Sequence, residues 1–567
     1  MKEIEILVIG GGPAGLCAAL SASSFGAKVL LAERDGTPGG QLVKQTHKFF
    51  GSEKQYAGDR GIHIGQILSS GAEAGPNIEI WADSTVLSIY EDGVVTVEHE
   101  GRHEKVKPER IIIATGAAER FIAFPGNDLP GVYGAGAVQT LMNVSGVKPA
   151  RSVLMVGAGN IGLIVSYQLK QAGVEVAAVI EASAKIGGYL VHASKIRRAG
   201  IPIFTRHTIL EAYGSGEVEG AVIAQVDENW QPVPGTERKV SCDAICLAAG
   251  LSPLTELAWQ AGCEMAFIRE LSGHVPLVDE HLESTIPGIY CAGDVSGIEE
   301  ASAAMVEGRL AGISAAVGLG YGGDEAVRLQ REAVEDIGQL RSGPVSEHIR
   351  AGMEKMGQLR LKLDKAAGRG HEHGCEHGHV RADCVRKQVG DNLSQKEFAD
   401  DRKTIATALI SVGVPSDVDL KAVCPAEERF KKGPVAIAEC FQEIPCNPCV
   451  KACSRGAISM LRDINGLPLV DAAVCNGCGL CISRCPGLAI FVVDKTYSAD
   501  MALIKLPYEY IPVPEVGKAV TGLDRSGKEM GKFEVLRVNF GGKKNMTYTI
   551  SLAVPQNLAM DIRDIRI

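Results

Sequence analysis

The sequence predicts an α/β protein with two doubly wound dinucleotide-binding domains. A helical linker, an α+β cysteine-rich module and a small β-rich end follow. Three observations carry this. Two apolar strands each run into a glycine-rich turn, at residues 4–15 and 152–162, and a cysteine run near the carboxyl end has the spacing C-x2-C-x2-C-x3-C-P. With 567 residues the chain can bury several cores, and about three or four domains are expected.

The first forty residues organise the rest. Ile4-Glu5-Ile6-Leu7-Val8-Ile9 has the continuous apolar character of a buried parallel strand. Gly10-Gly11-Gly12-Pro13-Ala14-Gly15 turns it into a helix over 16–25, a second strand covers 28–32, and Glu33 stands at its end. In such a βαβ unit Gly10 permits the tight turn, Gly12 admits a pyrophosphate, and Gly15 allows close helix–strand packing. The helix start at Pro13 and Ala14 offers free N–H groups to phosphate. Glu33, with Arg34 beside it, is placed to accept from ribose hydroxyls. Gly40 and Gln41, in the loop Pro38-Gly39-Gly40-Gln41-Leu42, let backbone lie close to a flat ligand. His47 could stand near an isoalloxazine ring, though a surface histidine is the favoured reading. Residues 78–104 are expected as short strands and turns, and Ala114-Thr115-Gly116 ends another buried strand over 111–113.

The unit then repeats. Residues 152–156 form a strand, Gly157-Ala158-Gly159-Asn160-Ile161-Gly162 the turn, and 162–172 the helix. A further strand over 174–180 ends at Glu181. Gly157, Gly159, Asn160, Ile161, Gly162 and Glu181 are therefore candidates for a second nucleotide, and an acidic strand end favours NAD(H) over NADP(H). Residues 287–294 bring the chain back as a strand ending in Gly293-Asp294, ahead of an alanine-rich helix over 299–317. Gly293 and Asp294 join the cofactor candidates.

Residues 1–325 resemble the pyridine-nucleotide–disulfide oxidoreductases, in the branch that includes thioredoxin reductase. That resemblance implies Rossmann-like FAD and NAD domains: 1–125 and 253–325 as two halves of the FAD domain, 126–252 as the second nucleotide domain. It also implies that Asp294 bonds the ribityl or phosphate end of the flavin. The branch's redox Cys-x-x-Cys is missing from the corresponding stretch, Gly131-Val132-Tyr133-Gly134-Ala135-Gly136-Ala137-Val138-Gln139, so a thiol–disulfide mechanism is not expected. The run Leu129–Tyr133 with Ala135–Gln139 instead resembles alpha subunits of hydrogen cyanide synthase, opine oxidase and dye-linked L-proline dehydrogenase. This implies a second flavoprotein subunit that oxidises an amine or amino acid. A small iron–sulfur subunit, and an FMN at the partner interface, are further expectations of the resemblance. It also leaves open a non-redox adenine nucleotide in the second pocket.

Residues 326–433 change character. Charged amphipathic helices are expected over 324–340 and 345–367, broken at Ser342-Gly343-Pro344. The tract His371-Glu372-His373-Gly374-Cys375-Glu376-His377-Gly378-His379 could bind zinc, nickel or copper. A solvated low-complexity loop is the favoured alternative, since its glycines give little rigidity.

Of sixteen cysteines, seven fall between Cys446 and Cys485. Cys475, Cys478, Cys481 and Cys485-Pro486 form the bacterial ferredoxin run, in which three thiolates hold one cubane and the fourth reaches the other. Cys446, Cys449 and Cys453 are the last three positions of a matching run, and Cys453-Ser-Arg-Gly-Ala-Ile echoes Cys485-Pro-Gly-Leu-Ala-Ile. A 2[4Fe–4S] ferredoxin-like domain is expected over 434–496. One cluster is assigned to Cys453, Cys475, Cys478 and Cys481. The other takes Cys446, Cys449, Cys485 and Cys440, because Glu443 occupies the regular leading position; Cys424 or Glu443 are the alternatives to Cys440. A β-rich module over 497–567 shows no site chemistry.

A net charge of −10 argues against non-specific nucleic-acid binding. No apolar run approaches the length of a membrane span, and the first strand begins too early for a signal peptide, so a cytoplasmic protein is expected. The parts suggest an electron-transfer subunit of an amine or amino-acid dehydrogenase complex, a hetero-oligomer using FAD, two [4Fe–4S] clusters and NAD(H) or another adenine nucleotide. A self-contained NADH:acceptor reductase and a redox-sensing scaffold are the alternatives. No catalytic acid, base or nucleophile is assigned.

Overall fold

The computed structural model describes residues 1–366 and 407–567. The histidine tract at 371–379 lies outside the described residues.

The amino-terminal sheet is built on the strand Lys2–Ile9, whose Ile6, Leu7 and Val8 are fully buried. It pairs in parallel with Val29–Ala32 on one side and Arg102–Ile113 on the other. Ile78–Trp81 extends one edge, and Ile289–Cys291 returns from far along the chain to pair in parallel with Ile111–Ile113. The doubly wound expectation holds, and the topology explains why Gly293-Asp294 arrives beside Ala14 at the first helix start. One element differs. Arg102–Ile113 is a single strand, much longer than expected, because its charged first half pairs antiparallel with Val95–His99. Solvated on one face, that half carries no apolar signal.

The second sheet has the order Ile203–Thr205, Glu175–Glu181, Ser152–Val156, Ala244–Leu247, Val132–Gly134, all parallel. A small antiparallel sheet of His207–Tyr213, Gly220–Gln225 and Arg238–Ser241 lies against it. The expected linker helices run over Gly323–Arg341 and Glu347–Ala366. Asp336, buried on the first, accepts from Lys54 at 2.7 Å and Arg309 at 2.5 Å, which ties the helix to the amino-terminal domain.

The cysteine-rich segment is not a discrete layer. Its strands Val435–Ala438 and Ile490–Asp494 begin a seven-stranded sheet that continues through Met501–Tyr508, Tyr548–Pro555, Glu529–Phe540, Ala519–Leu523 and Asp564–Arg566. Pairing of Ile490–Asp494 with Met501–Tyr508 crosses the expected boundary at 496 and removes an exposed edge from each side.

The helices Pro13–Ser24 and Ala301–Gly318 cross at van der Waals distance because Gly308 and Gly312 have no side chain. A Cβ at Gly312 would lie 2.2 Å from the Ala18 carbonyl oxygen, and one at Gly308 2.0 Å from that of Ala14. Gly312→Ala is therefore expected to cost about 1–3 kcal/mol of stability, read as a lower urea midpoint at unchanged slope.

Candidate functional site

Both glycine turns use the same three contacts. Gly10 has φ +101°, and a Cβ there would sit 2.4 Å from the Ala114 carbonyl oxygen; Gly157 has φ +109°, with the Ala248 oxygen at 2.3 Å. A Cβ on Gly15 would meet the Gly10 oxygen, and one on Gly162 the Gly157 oxygen. The middle glycines, Gly12 and Gly159, face nothing within 4 Å, so each turn leaves space above a helix start where a phosphate fits. Glu33 accepts from the N–H groups of Gly11 (2.5 Å) and Asp35 (2.8 Å); Glu181 accepts from Ala158 (2.9 Å) and Ser183 (2.8 Å).

The repeat extends further than the glycine turns alone disclose. Gly39 donates to the Gly11 carbonyl at 2.7 Å, and Gly188 donates to that of Ala158 at 2.9 Å. The loop Ile186-Gly187-Gly188-Tyr189 is thus the counterpart of Pro38-Gly39-Gly40-Gln41. Aligning the two units at their strand-end glutamates would have found it.

One cavity of about 1200 Å³ connects these parts. Gly10, Gly12, Pro13, Ala14, Glu33, Arg34, Gly40 and Gln41 line it, as do Ala114, Thr115, Gly116, Gly293 and Asp294. Gly159, Asn160, Ile161 and Gly162 of the second turn open onto the same space. Gly15, Gly157 and Glu181 do not line it and act from behind, Glu181 through its bond to the turn. At the junction Asn160 donates to Glu300 Oε1 at 2.6 Å and accepts from the Tyr189 N–H at 2.7 Å. Burial raises the Glu300 carboxyl pKa, against the pull of the Asn160 bond.

A carboxylate group that sequence reasoning missed surrounds Asp294. Glu307 accepts from the Gly293 N–H at 2.8 Å and from Arg341, which also grips Glu299 through two nitrogens at 2.6–3.1 Å. Burial opposes the Arg341 charge, but the two carboxylates outweigh it and keep the guanidinium ionised. No local signal marks Arg341, which lies on the linker helix.

His47 is not a surface residue. It lines the cavity, stacks on Phe49 at 5.2 Å between ring centroids and meets His192 edge-on at 6.3 Å. Burial, then the cations of Lys195 and Arg60, lower its pKa to about 3, so it is neutral. The run Lys48-Phe49-Phe50 that follows is buried, and this pulls His47 inward.

The cysteines gather in two groups. Cys440, Cys446 and Cys485 pack around Phe50, Tyr189 and Ile444, while Cys449, Cys453, Cys475, Cys481 and Cys485 pack around Ile482 and Ile458. Cys440 and Cys446 each feel Cys449 and Cys485 most among the thiols; Cys481 feels Cys475 and Cys478 first. Backbone N–H groups point at the sulfurs: Ala457 to Cys453 Sγ (3.2 Å), Ala489 to Cys485 Sγ (3.4 Å) and Ala436 to Cys475 Sγ (3.4 Å). The first two stand four residues after their cysteines, so the sequence repeat is a structural one. Burial pushes Cys449 and Cys481 up to about 12, and raises Cys440 and Cys446 as well. Such thiols ionise only beside a cation. Glu443 turns outward to Arg462, and Cys424 has Glu439, Arg563 and Arg525 as its neighbours. Among the described residues no three His, Cys, Asp or Glu side chains are grouped to hold a metal ion.

Residues 4–308 match the family model described as pyridine nucleotide-disulphide oxidoreductase. The chain belongs to that family. It is 31% identical over 332 residues to an opine oxidase subunit of Agrobacterium tumefaciens (strain Ach5), covering 56% of this chain and 66% of that one. Hydrogen cyanide synthase subunit HcnB of Pseudomonas aeruginosa is 28% identical over 392 residues, 65% of this chain and 79% of its own length. The chain spans 66% and 63% of the lengths of two opine oxidase subunits, from Agrobacterium tumefaciens and Rhizobium meliloti. Among solved structures, L-proline dehydrogenase from P. horikoshii is 23% identical with a TM-score of 0.46, covering 58% of this chain and 59% of that chain. The chain is thus an oxidoreductase of FAD/NAD-binding fold, related to subunits of multi-subunit oxidases. No described helix is long and apolar enough to cross a membrane.

Burial, with Glu307, Glu299 and Glu300 nearby, raises Asp294 from 3.8 to about 7, although the Glu299 N–H pulls it down. In the flavin-free chain the folded state then keeps a proton that the unfolded chain has lost, so Asp294 makes stability fall as pH rises from about 4 to 7. Asp294→Asn should flatten that slope, by up to roughly 4 kcal/mol at pH 8. Thermal unfolding of flavin-free protein across this window checks it, and parallel wild-type and variant slopes would contradict it.

Proposed function

We propose that the chain is the FAD-dependent electron-transfer subunit of an amine or amino-acid dehydrogenase complex, with two [4Fe–4S] clusters held by its own cysteines. One observation carries this reading. Phe50 and Gly51 line the cavity on one side and touch the first thiol group on the other. Phe50 packs with Cys440, Cys446 and Cys485, while Gly51 forms a parallel bridge to Cys446 and its carbonyl accepts from the Asn447 N–H at 3.2 Å. A single residue therefore separates a flavin-sized space from buried sulfur.

Bound FAD exchanges two electrons with organic substrates, and clusters carry one at a time. The chain's residues hold and insulate these groups. Gly10, Gly12 and the start of Pro13–Ser24 would take the pyrophosphate. Glu33 would take the ribose and Asp294 the ribityl or phosphate end. Arg34, Gly40, Gln41, Ala114, Thr115, Gly116 and Gly293 would wall the ring and its chain. Cys440, Cys446, Cys449 and Cys485 would hold the inner cluster, and Cys453, Cys475, Cys478 and Cys481 the outer. Thiolates of a cubane each bind a different iron, so their sulfurs stand farther apart than ligands of a single ion. The N–H groups of Ala457, Ala489 and Ala436 fit that charge.

The named relatives, subunits of opine oxidase and hydrogen cyanide synthase, support a partner that performs the C–N chemistry. A second flavoprotein is proposed for that role, with FMN at the interface or a small iron–sulfur subunit beside it. A second reading, a self-contained NADH:acceptor reductase, is favoured by the shared cavity, because Gly159–Gly162 and the flavin cradle open on one space. Gly159, Asn160, Ile161 and Gly162 would then face NAD(H) instead of a non-redox adenine nucleotide, with Gly157 and Glu181 shaping the turn from behind.

Anaerobic mixing with NADH separates these readings: the subunit reading expects no flavin bleaching without a partner, the reductase reading rapid bleaching. Cys446→Ala is expected to lose about one to four irons of eight, all from the inner cluster, at unchanged flavin content. Reconstituted wild-type protein without iron would refute the cluster half.

A further inference from the structure

The carboxyl-terminal strands carry no reactive motif, yet two of their side chains reach the start of the cysteine segment. Glu439, 5% exposed, follows the strand Val435–Ala438 and immediately precedes Cys440. Its carboxylate accepts from Arg525 Nε at 2.9 Å and Nη2 at 2.6 Å, and from Arg563 Nε at 2.5 Å. All three residues are buried. The backbone at the same residue is fixed too: the Glu439 N–H donates to the Ala489 carbonyl at 2.8 Å, and the Ala489 N–H donates to Cys485 Sγ.

Each arginine is itself held in place. Arg525 sits in a turn closed by Asp524 Oδ1, which accepts from the N–H groups of Ser526 and Lys528. The Arg563 N–H donates to the Leu523 carbonyl at 2.8 Å, and its guanidinium lies over the Phe491 ring. A fork fixed at both ends sets direction as well as charge.

The position so fixed is the irregular one. Cys440 stands six residues before Cys446, where a regular run has three, so the intervening segment does not by itself aim its sulfur. We propose that Arg525 and Arg563 are positioning residues which, through Glu439, aim Cys440 as the fourth ligand of the inner cluster. The inference rests on the cluster reading above and gives the carboxyl-terminal sheet a role in it. Taking two cations and a carboxylate out of water is costly, and such a group serves geometry better than stability.

The test is anaerobic reconstitution of the full chain with iron and sulfide, then iron and flavin analysis and paramagnetic resonance of oxidised and dithionite-reduced protein. Wild type is expected to hold about eight irons. Arg525→Met and the milder Glu439→Asp, which shortens the tether by one carbon, should each convert the inner cluster to a three-iron form. That form is visible in the oxidised spectrum, and Cys440→Ala should give the same one. The outer cluster and flavin should stay at wild-type levels, and Arg525→Lys should recover part of the four-iron form. Full iron content with unchanged spectra in both Arg525→Met and Glu439→Asp would overturn the proposal while leaving the clusters in place. Joint loss of flavin and both clusters would also overturn it, by marking the triad as a general fold clamp. A wild type that takes up no iron would instead remove the cluster reading, and this inference with it.

Discussion

Glu509 holds three parts of the molecule in register. Its side chain largely buried, it pairs with Arg60 at 2.9 Å and Lys48 at 3.4 Å, and its Oε1 accepts from Thr547 at 2.5 Å. Burial opposes its charge, but Lys48 and Arg60 keep it ionised. Lys48 also donates to the Ser483 carbonyl at 2.5 Å, inside the cysteine run, and Arg60 to the Asn545 carbonyl at 3.0 Å. The loop carrying His47 to Gly51 is thereby pinned between the flavin-side domain, the cysteine segment and the carboxyl-terminal sheet. Removing one partner from such a group leaves a buried charge uncompensated, at a cost of about 3–5 kcal/mol. The contact of Phe50 and Gly51 with the thiols depends on that loop staying where it is.

The second nucleotide domain is tied down as firmly. Gln139 bonds Gln45 and Gln168, Gln168 donates to Thr46 at 2.8 Å, and Arg198 donates to the Leu488 carbonyl at 3.0 Å. The Leu190 N–H donates to Gln442, a cavity residue between Cys440 and Cys446. Contacts on three sides hold this domain at one angle to the flavin-side sheet. Both glycine turns consequently open on one space in the structure as it stands, with Glu300 and Asn160 bonded across the junction.

What the sequence disclosed follows from the range of each interaction. The glycine turns, the strand-end glutamates and the cysteine runs are local, and each forces a backbone geometry within a few residues. Their positions were legible, whereas the return of Gly293-Asp294 was expected from the resemblance, since a Gly-Asp strand end by itself marks only a helix start. Arg341, Glu307 and Glu509 were not legible, because their partners lie tens to hundreds of residues away and a lone charged residue reads as surface. His47 misled for the same reason: the histidine itself is polar, and the burial of Lys48 beside it depends on Glu509. The boundary at residue 496 failed to show because a strand edge carries no sequence mark of the neighbour that will cover it.

The two cysteine groups show how a repeat becomes directional. Ala457 and Ala489 donate to Cys453 and Cys485 in the same way, so each half presents the same local geometry. Their surroundings differ. The group of Cys440, Cys446 and Cys485 is enclosed by Phe50, Tyr189 and Ile444 against the cavity wall. In the other group Cys478 is exposed, with Lys505 donating to the carbonyls of Gly477 (2.7 Å) and Cys478 (3.2 Å) at its rim. Burial disfavours added negative charge, and a solvated site beside a lysine tolerates it better; at the enclosed group Lys48, close enough to Cys485 to feel its charge, offsets part of that burial. The same folding unit used twice thus places one thiol group against the cavity wall and the other on the solvent side. The difference comes from what the carboxyl-terminal sheet and the His47–Gly51 loop place around each.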